Sequence, residues 1–187
     1  MISGTRVSLR PVRDEDLDLV HRAWTDIETR GSWVPLPRTS LAAFRADFGQ
    51  HGWWSKDEGL FLIVGDEDRV LGYVAWGTLR GSLPEIEVGY GIFDRAVMGR
   101  GIATEAVDLL VGYLFDAFEM NHLIAYIHPA NAASVRVAEK CGFRREGTAR
   151  QAWFNRGEWH DVDVYGLTRG DDRARRRAAA AVEAVTA

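Results

Sequence analysis

The chain has 187 residues, of which 47% are hydrophobic and 27% are charged, and its formal net charge is −4 at pH 7. This length supports one well-buried core and is short for two domains. The negative charge argues against a nucleic-acid binder that works by neutralising phosphates, because such a surface needs a concentrated excess of lysine and arginine.

The first third of the chain predicts a strand, a helix and a loose covering segment. "RVSLRPV" at 6–12 alternates apolar and polar residues, as a half-buried strand does. Asp14 is an N-cap candidate for a helix whose apolar face carries Leu17, Val20 and Trp24. Residues 33–59 lose this regularity, and we expect a flexible cap there with one short helix over Leu41–Phe48.

Three antiparallel strands follow. "LFLIV" at 60–64 and "VLGYVAW" at 70–76 flank the polar turn "GDEDR", which predicts a β-hairpin. The third strand, Glu85–Phe93, has an apolar face and a second face that carries Glu87 beside Gly89 and Gly91. Glycines inside a strand indicate a bulge or the close approach of a helix or a ligand, and these alternatives stay open.

The second half predicts a helix, a strand and another helix. After "MGRG" at 98–101, apolar residues recur at helical spacing as far as Phe118. Leu123–His128 is an apolar strand that Pro129 ends. Asn131 then opens a short helix, and we expect Gly142 to be left-handed just past its end, with Phe143 packing back onto it.

The last segments predict a hairpin and a tail. "QAWFNRGEWHDVDVYGL" has Asn155, Arg156 and Gly157 between β-rich flanks, and a three-residue turn there would set Trp153 opposite Trp159. Residues 171–187 are rich in alanine and arginine and are interpreted as a solvated or frayed terminal helix.

This order of elements predicts an α/β (α+β) protein with a single mixed, mostly antiparallel central sheet flanked by helices. We expect one domain over residues 1–170 and a separate helical or frayed tail over 171–187.

The two glycines at 99 and 101 lie where a strand passes into a helix. Free N–H groups at a helix N-terminus and the helix dipole attract phosphate, and glycines let the phosphate approach closely. A Walker A loop would need lysine after the second glycine, where Ile102 stands, and a dinucleotide fingerprint would need glycine in place of Thr104. The junction therefore matches neither of these two phosphate motifs.

The carboxylate-bearing strand, "GRGIATEA" and "NAASVRVAEKCGF", in this order, resemble the acetyl-CoA-binding core of the GNAT superfamily of N-acetyltransferases. The resemblance is closest to the Rim-type (RimJ/RimL-like) branch, which acetylates protein N-termini and various small amines. It extends from about Arg6 to Leu167. It implies a GNAT fold, acetyl-CoA as the cosubstrate and a primary amine as the acceptor.

The resemblance also implies a set of cofactor-binding positions. The family's loop pattern, Gln/Arg-x-x-Gly-x-Gly/Ala, falls on Met98, Gly101 and Ala103, and Met98 departs from it. We expect the loop to bind pyrophosphate through its backbone N–H groups despite that departure. Lys140 is interpreted either as a partner of the CoA phosphates or as a solvated helix-end lysine. The full set is Ile92, Phe93, Met98, Gly99, Arg100, Gly101, Ile102, Ala103, Thr104, Asn131, Ser134 and Lys140.

Two residues are candidates for the chemistry. Glu87 is the candidate base, since the attacking amine must lose its ammonium proton. The resemblance makes Ser134 the acid for the departing thiolate, whereas Ala138 stands where many relatives have a tyrosine. A strand-end N–H near Ile92 is expected to stabilise the oxyanion.

The acceptor has its own candidates. Glu85 is expected to attract a charged amine together with Glu87, and aromatic rings in the N-terminal cap favour a cation. Trp33, Trp53 and Trp54 are therefore candidate substrate residues.

Other features limit the function. The five histidines include no pair at metal-ligand spacing, and the single Cys141 excludes an intrachain disulfide, so we expect no metal site and a reducing compartment. No leader or membrane-spanning run is visible, so we expect a cytoplasmic protein. A non-catalytic acyl-CoA sensor remains the alternative function, and a homodimer formed through the C-terminal strands is left open.

Overall fold

The computed structural model describes residues 1–26, 30, 33–35, 39–79 and 85–186. Within them the chain forms one eight-stranded sheet in the order β1-β2-β3-β4-β5-β6-β8-β7. The expected single mixed sheet is confirmed. The strands are β1 Ile2–Ser3, β2 Ser8–Pro11, β3 Glu58–Val64, β4 Val70–Leu79, β5 Glu85–Ile92, β6 His122–Ile127, β7 Arg144–Asn155 and β8 Glu158–Thr168.

Helices cover both faces of this sheet. One face packs against α1 and α2 around Leu17, Phe44 and Trp53. The other packs against α3 and α4, and its core is rich in aliphatic residues from α3 such as Val107 and Leu110. The helices in the described residues are α1 Leu17–Thr25, α2 Leu41–His51, α3 Ile102–Ala117, α4 Ala132–Lys140 and α5 Arg169–Thr186.

The three antiparallel strands have the predicted alternation. In β5, Ile86 and Val88 are buried on the α3 side. Gly89 lies on the opposite face, and a Cβ built there would meet nothing within 4 Å. No helix is therefore packed against Gly89 among the described residues, which leaves open space beside Glu87.

The pairing of β5 with β6 is the one parallel pairing among the described strands, and it is very short. Its register joins Ile86 to Leu123 and Glu87 to Ile124 and then stops. Both strands continue, to Ile92 and Ile127 respectively. The two strands therefore part beyond Glu87, and the sheet opens there while β4 keeps β5 in place up to Ile92.

The ends of α4 confirm the sequence interpretation. The Asn131 side chain accepts a hydrogen bond from the Ser134 N–H at 3.2 Å and caps the helix. Gly142 has φ +92°, and the Phe143 N–H donates to the Ala138 carbonyl at 3.0 Å. Phe143 is buried, so the chain turns back onto the core directly after the helix.

Two local predictions were wrong. Asp14 does not cap α1: it lies in a 3-10 turn, Asp14–Asp16, and Asp16 instead accepts the Arg13 N–H at 2.8 Å. In the last hairpin, Arg156 and Gly157 both have positive φ, as a two-residue type I′ turn requires. This turn is one residue shorter than predicted, so Trp153 lies opposite His160 and Phe154 lies opposite Trp159.

Ion pairs attach the C-terminal helix α5 to the body of the domain. In α5, Arg175 and Arg176 both bind Asp108 of α3 and Asp172 of their own helix. Asp172 is buried. The start of the arginine-rich segment is therefore held against α3 by partly exposed ion pairs to Asp108.

Candidate active site

A cavity of about 820 Å³ lies beside the end of β5, beyond the point where its pairing with β6 stops. The predicted set Ile92, Phe93, Met98, Gly99, Gly101, Ile102, Ala103, Thr104, Asn131, Ser134 and Lys140 lines it, and so does Trp33. The cavity thus brings together most of the proposed cofactor positions from the end of β5, the turn before α3 and the first turn of α4.

The turn before α3 suits a phosphate group. Gly99 has φ +76° and Gly101 has φ +82°, so both hold the left-handed conformation that glycine adopts without strain. A Cβ at Gly99 would meet nothing within 4 Å. The Glu105 N–H makes the first helical bond to the Gly101 carbonyl at 3.0 Å. The N–H groups of the three residues before Glu105 have no carbonyl one turn earlier in the helix, so they are available to an anion.

The charge of the cavity also favours an anion. Its described lining contains four cationic side chains and no aspartate or glutamate: Arg30, Arg95, Arg136 and Lys140. The whole chain carries a net charge of −4, so this positive surface is a local feature. The residues present therefore fit a ligand with phosphate groups, such as CoA.

The edge of β5 offers backbone groups to an extended ligand. The Phe93 N–H donates to the Leu71 carbonyl of β4 at 2.8 Å and is already used. Because backbone groups point alternately to the two sides of a strand, Tyr90 and Ile92 direct theirs toward the side where β6 has parted. Of the two residues predicted to pair with a ligand through their backbone, Ile92 is therefore the one whose backbone groups remain available.

Ser134 and Tyr90 are in direct contact in the lining of the cavity. Its hydroxyl donates to the Tyr90 phenol oxygen at 2.9 Å, and that phenol donates to the Ser134 carbonyl at 2.9 Å. Burial raises the pKa of Tyr90, and the hydrogen bond with Ser134 acts in the opposite direction. The phenol is therefore neutral near pH 7 and holds the serine hydroxyl in a fixed position.

Glu87 lies at the point where β5 and β6 separate. It is half-buried, and burial raises the pKa of its carboxyl group. In the described part of the chain it has no hydrogen-bond or salt-bridge partner. It does not line the cavity itself, but it shares the open face of β5 with Gly89 and Gly91, and Gly91 does line it. A carboxyl group that is desolvated and unpaired is suited to accept a proton.

Glu85 is engaged elsewhere. His122 contacts Glu85 through Nδ1 at 3.0 Å and Glu146 through Nε2 at 3.1 Å. The Glu85 carboxylate is thus held at the start of β5, and Glu85 does not line the cavity.

Two of the three predicted tryptophans also lie outside the cavity. Trp53 is buried, and its Nε1 donates to Asp47 at 2.7 Å. Trp54 packs edge-on against Phe61 and Trp76. Both tryptophans serve packing. Arg100, a predicted cofactor-binding residue, is also absent from the cavity lining.

Trp33 has histidine neighbours that the sequence did not single out. Its ring lies 4.6 Å from that of His128, which lies 5.1 Å from His160. His128 Nδ1 accepts the Ala130 N–H at 3.1 Å, so neutral His128 carries its proton on Nε2. Burial and the neighbouring His160 lower the pKa of His128. Of these three rings, only Trp33 lines the cavity.

Sequence reasoning missed several residues of this cavity, and Tyr90 and Arg30 are the two that matter most for the proposals below. Tyr90 was assigned only to the apolar face of β5, and its bond to Ser134 joins positions 44 residues apart. Arg30 precedes the segment 33–59 that was predicted as a flexible cap. Neither residue is part of a local sequence motif, so only its neighbours in the folded structure show that it belongs to the site.

No group of three or more His, Cys, Asp or Glu side chains able to hold a metal ion occurs among the described residues. In the same residues, no helix has the length and apolar character needed to cross a membrane.

Comparison with known proteins assigns a family. A model of the acetyltransferase (GNAT) domain matches residues 6–144. The probable N-acetyltransferase YjcK of Bacillus subtilis strain 168 is 38% identical over 112 residues, which are 59% of this chain and 61% of that protein. The match therefore spans less than two thirds of YjcK.

Solved structures show the same fold. A spermidine N-acetyltransferase from Vibrio cholerae, in complex with CoA and spermine, has a TM-score of 0.80 at 19% identity over 90% of this chain and 99% of that one. RimJ of Mycobacterium smegmatis, in complex with CoA-disulfide, has a TM-score of 0.75 at 24% identity, covering 93% and 89% of the two chains.

Proposed function

The chain belongs to the acetyltransferase (GNAT) family, and from this premise we propose that it transfers the acetyl group of acetyl-CoA to a primary amine in a ternary complex. The observation that carries the proposal is the cavity between β5 and β6, where a phosphate-binding turn, an open strand edge and Ser134 meet. Its positive lining supports CoA as the ligand.

CoA fits this cavity in two parts. The N–H groups at the start of α3 would hold its pyrophosphate, with Arg136 and Lys140 close by. The backbone of Ile92 would pair with its pantetheine arm as an additional strand. Together these contacts would place the thioester in the gap that β6 leaves open.

The residues beside the gap supply the remaining chemistry. Glu87 accepts the proton of the ammonium group, directly or through water, which frees the nitrogen lone pair. The nitrogen forms a bond to the acetyl carbon and the carbon–sulfur bond breaks. The remaining surplus proton on the nitrogen passes to the departing thiolate, to which Ser134 donates a hydrogen bond. Because the Ser134 hydroxyl donates to Tyr90 in the free protein, it must rotate to do so.

The relatives support an amine acceptor without identifying it. The similar structures include a RimJ and a spermidine N-acetyltransferase, so protein N-termini and small amines both stay within the proposal. Because acetyl-CoA is an intracellular metabolite, we propose a cytoplasmic location.

The test is the release of free CoA thiol from acetyl-CoA over a panel of amines that includes peptides, amino acids and polyamines. Turnover that depends on an amine and fails with Glu87→Gln supports the proposal. Tight CoA binding without turnover on any amine would contradict it and favour the non-catalytic sensor.

A further inference from the structure

Arg30 is a cation without an anionic partner inside the cavity. Its Nη1 donates to the Trp24 carbonyl at 3.3 Å, and its Nε is buried with no hydrogen-bond partner. In the described residues no carboxylate pairs with it. Burial lowers the pKa of this guanidinium group, as expected for a charge removed from water without compensation.

The surroundings of Arg30 are aromatic and hold a second unused donor. The Trp24 Nε1 is also buried and has no partner. Trp24 lies 5.4 Å from Tyr73, ring centre to ring centre, and Trp33 lines the same cavity. A buried cation stays costly unless an anion pairs with it, so this group is incomplete until a ligand supplies one.

Arg30 lies on the acceptor side of the sheet. Tyr73, which it faces, is paired with Gly91 in the register of β4 and β5, so both point to the face that carries Glu87. The helix that begins with the phosphate-binding turn packs on the opposite face, against Ile86 and Val88. Arg136 and Lys140, both on α4, would then serve the phosphates of CoA.

From this geometry we infer that Arg30 binds a carboxylate carried by the amine acceptor, which makes the acceptor class an amino acid with an apolar or aromatic side chain. The inference rests on the proposed function. Arginine suits this role because its planar fork matches the two oxygens of a carboxylate. Four cations around the cavity also oppose a polyamine at this position.

The experiment compares each acceptor with its neutral analogue. Thiol release from acetyl-CoA is measured with L-phenylalanine and L-methionine and with their carboxamides, which differ only in the charged oxygen. The carboxamide has the less basic amine, so proton availability alone would favour it. We expect kcat/KM for the acid to exceed that for the amide at least tenfold in the parent protein.

Two substitutions locate the effect. Arg30→Gln should bring the acid-to-amide ratio close to one, and Arg30→Lys should give an intermediate ratio because it keeps the charge and loses the fork. Arg136→Gln is the matched control on the CoA side: it should weaken CoA binding and leave the ratio unchanged. The parent ratio needs no variant, so a variant that fails to fold leaves the test intact.

Three outcomes would overturn the inference. Equal kcat/KM for the acid and the amide in the parent would show that the acceptor carboxylate is not recognised. A gain with succinyl-CoA over acetyl-CoA that disappears in Arg30→Gln would place the carboxylate on the acyl donor. Loss of CoA affinity in Arg30→Gln as large as in Arg136→Gln would make Arg30 a phosphate ligand. If no amine releases thiol, the proposed function fails, and this inference fails with it.

Discussion

The hydroxyl of Ser134 donates to the phenol oxygen of Tyr90 at 2.9 Å, and this bond links the first turn of α4 to the free part of β5. Both residues line the cavity in which the thioester is proposed to lie. Tyr90 thus fixes the resting position of the one hydroxyl group that is proposed to meet the leaving thiolate.

Ser134→Ala should lower kcat only about 3- to 10-fold, because one hydrogen bond contributes about 0.5–1.5 kcal/mol and the thiolate is a good leaving group. Tyr90→Phe should have an effect no larger than this, since it releases the serine hydroxyl and leaves it in place. Steady-state rates at saturating acetyl-CoA measure both. A loss above a thousandfold in Ser134→Ala would show that the serine acts as an obligatory acid.

Glu87→Gln should reduce kcat by about 100-fold or more, which is the usual range for losing a general base. Activity should also appear at higher pH, because the amine must then lose its proton without help. A pH–rate profile of parent and variant measures both effects. Identical profiles would remove Glu87 from the mechanism.

The same substitution should stabilise the fold at neutral pH. Burial raises the folded-state pKa of Glu87 above its unfolded value, so ionisation of the carboxyl costs stability as the pH rises through those values. Glutamine removes this cost. Thermal melting should give a higher Tm for Glu87→Gln at pH 7, and the difference should vanish below the usual glutamate pKa of about 4.3. A lower Tm at pH 7 would contradict the desolvation of Glu87.

Gly99→Ala should weaken CoA binding about tenfold or more, because the methyl group would occupy the space that the phosphate is proposed to use. Gly157→Ala is a matched control: Gly157 has φ +88° and no neighbour within 4 Å of an added Cβ, as at Gly99. Each substitution should cost a similar ~1 kcal/mol of stability from the left-handed backbone. Calorimetric titration with CoA separates them, and equal affinity in both variants would place the pyrophosphate elsewhere.

Asp16→Asn should destabilise the protein by about 3 kcal/mol, because it leaves the buried Arg10 without its main partner. Asp68→Asn, at the more exposed second partner, should cost less than 1 kcal/mol. Chemical denaturation of the two variants measures the difference. Equal losses would show that burial does not set the strength of these pairs.

Low pH should weaken the same ion pair, between Arg10 and Asp16, and so destabilise the protein. Burial alone would raise the pKa of Asp16, but hydrogen bonds from Arg10 and the Arg13 N–H outweigh it and lower that pKa. The stability that Asp16 contributes is therefore complete above the usual aspartate pKa and is lost as the pH falls through the lowered value.

Local sequence patterns were enough for most of the fold. The spacing of apolar residues predicted the hairpin of β3 and β4, and the Asn131 cap and Gly142 predicted the bounds of α4. The register of the last hairpin was wrong, because one residue of turn length decides which side chains face each other. Positive φ at Arg156, which a non-glycine residue rarely adopts, is not visible in a pattern of residue types.

The site was predictable only where a motif is continuous in sequence. The turn of Gly99 and Gly101 follows from local chemistry, as does the start of α4. The gap between β5 and β6, the Tyr90–Ser134 bond and the position of Arg30 depend on which strands and helices become neighbours. Trp53 and Trp54 show the converse, since their aromatic character suggested a place in the acceptor pocket, and the structure packs them outside the candidate active-site cavity.

The two-pair register between β5 and β6 also has a mechanical consequence. The main-chain amides of Tyr90 and Ile92 have lost their neighbouring strand, so in the free protein they should exchange hydrogen with solvent far faster than those of the paired strands. A thioester substrate bound in the gap would give these amides hydrogen-bond partners and so connect β5 to β6 where their own pairing stops. Binding of the acyl donor would then also make the two halves of the sheet, on either side of the gap, rigid with respect to each other.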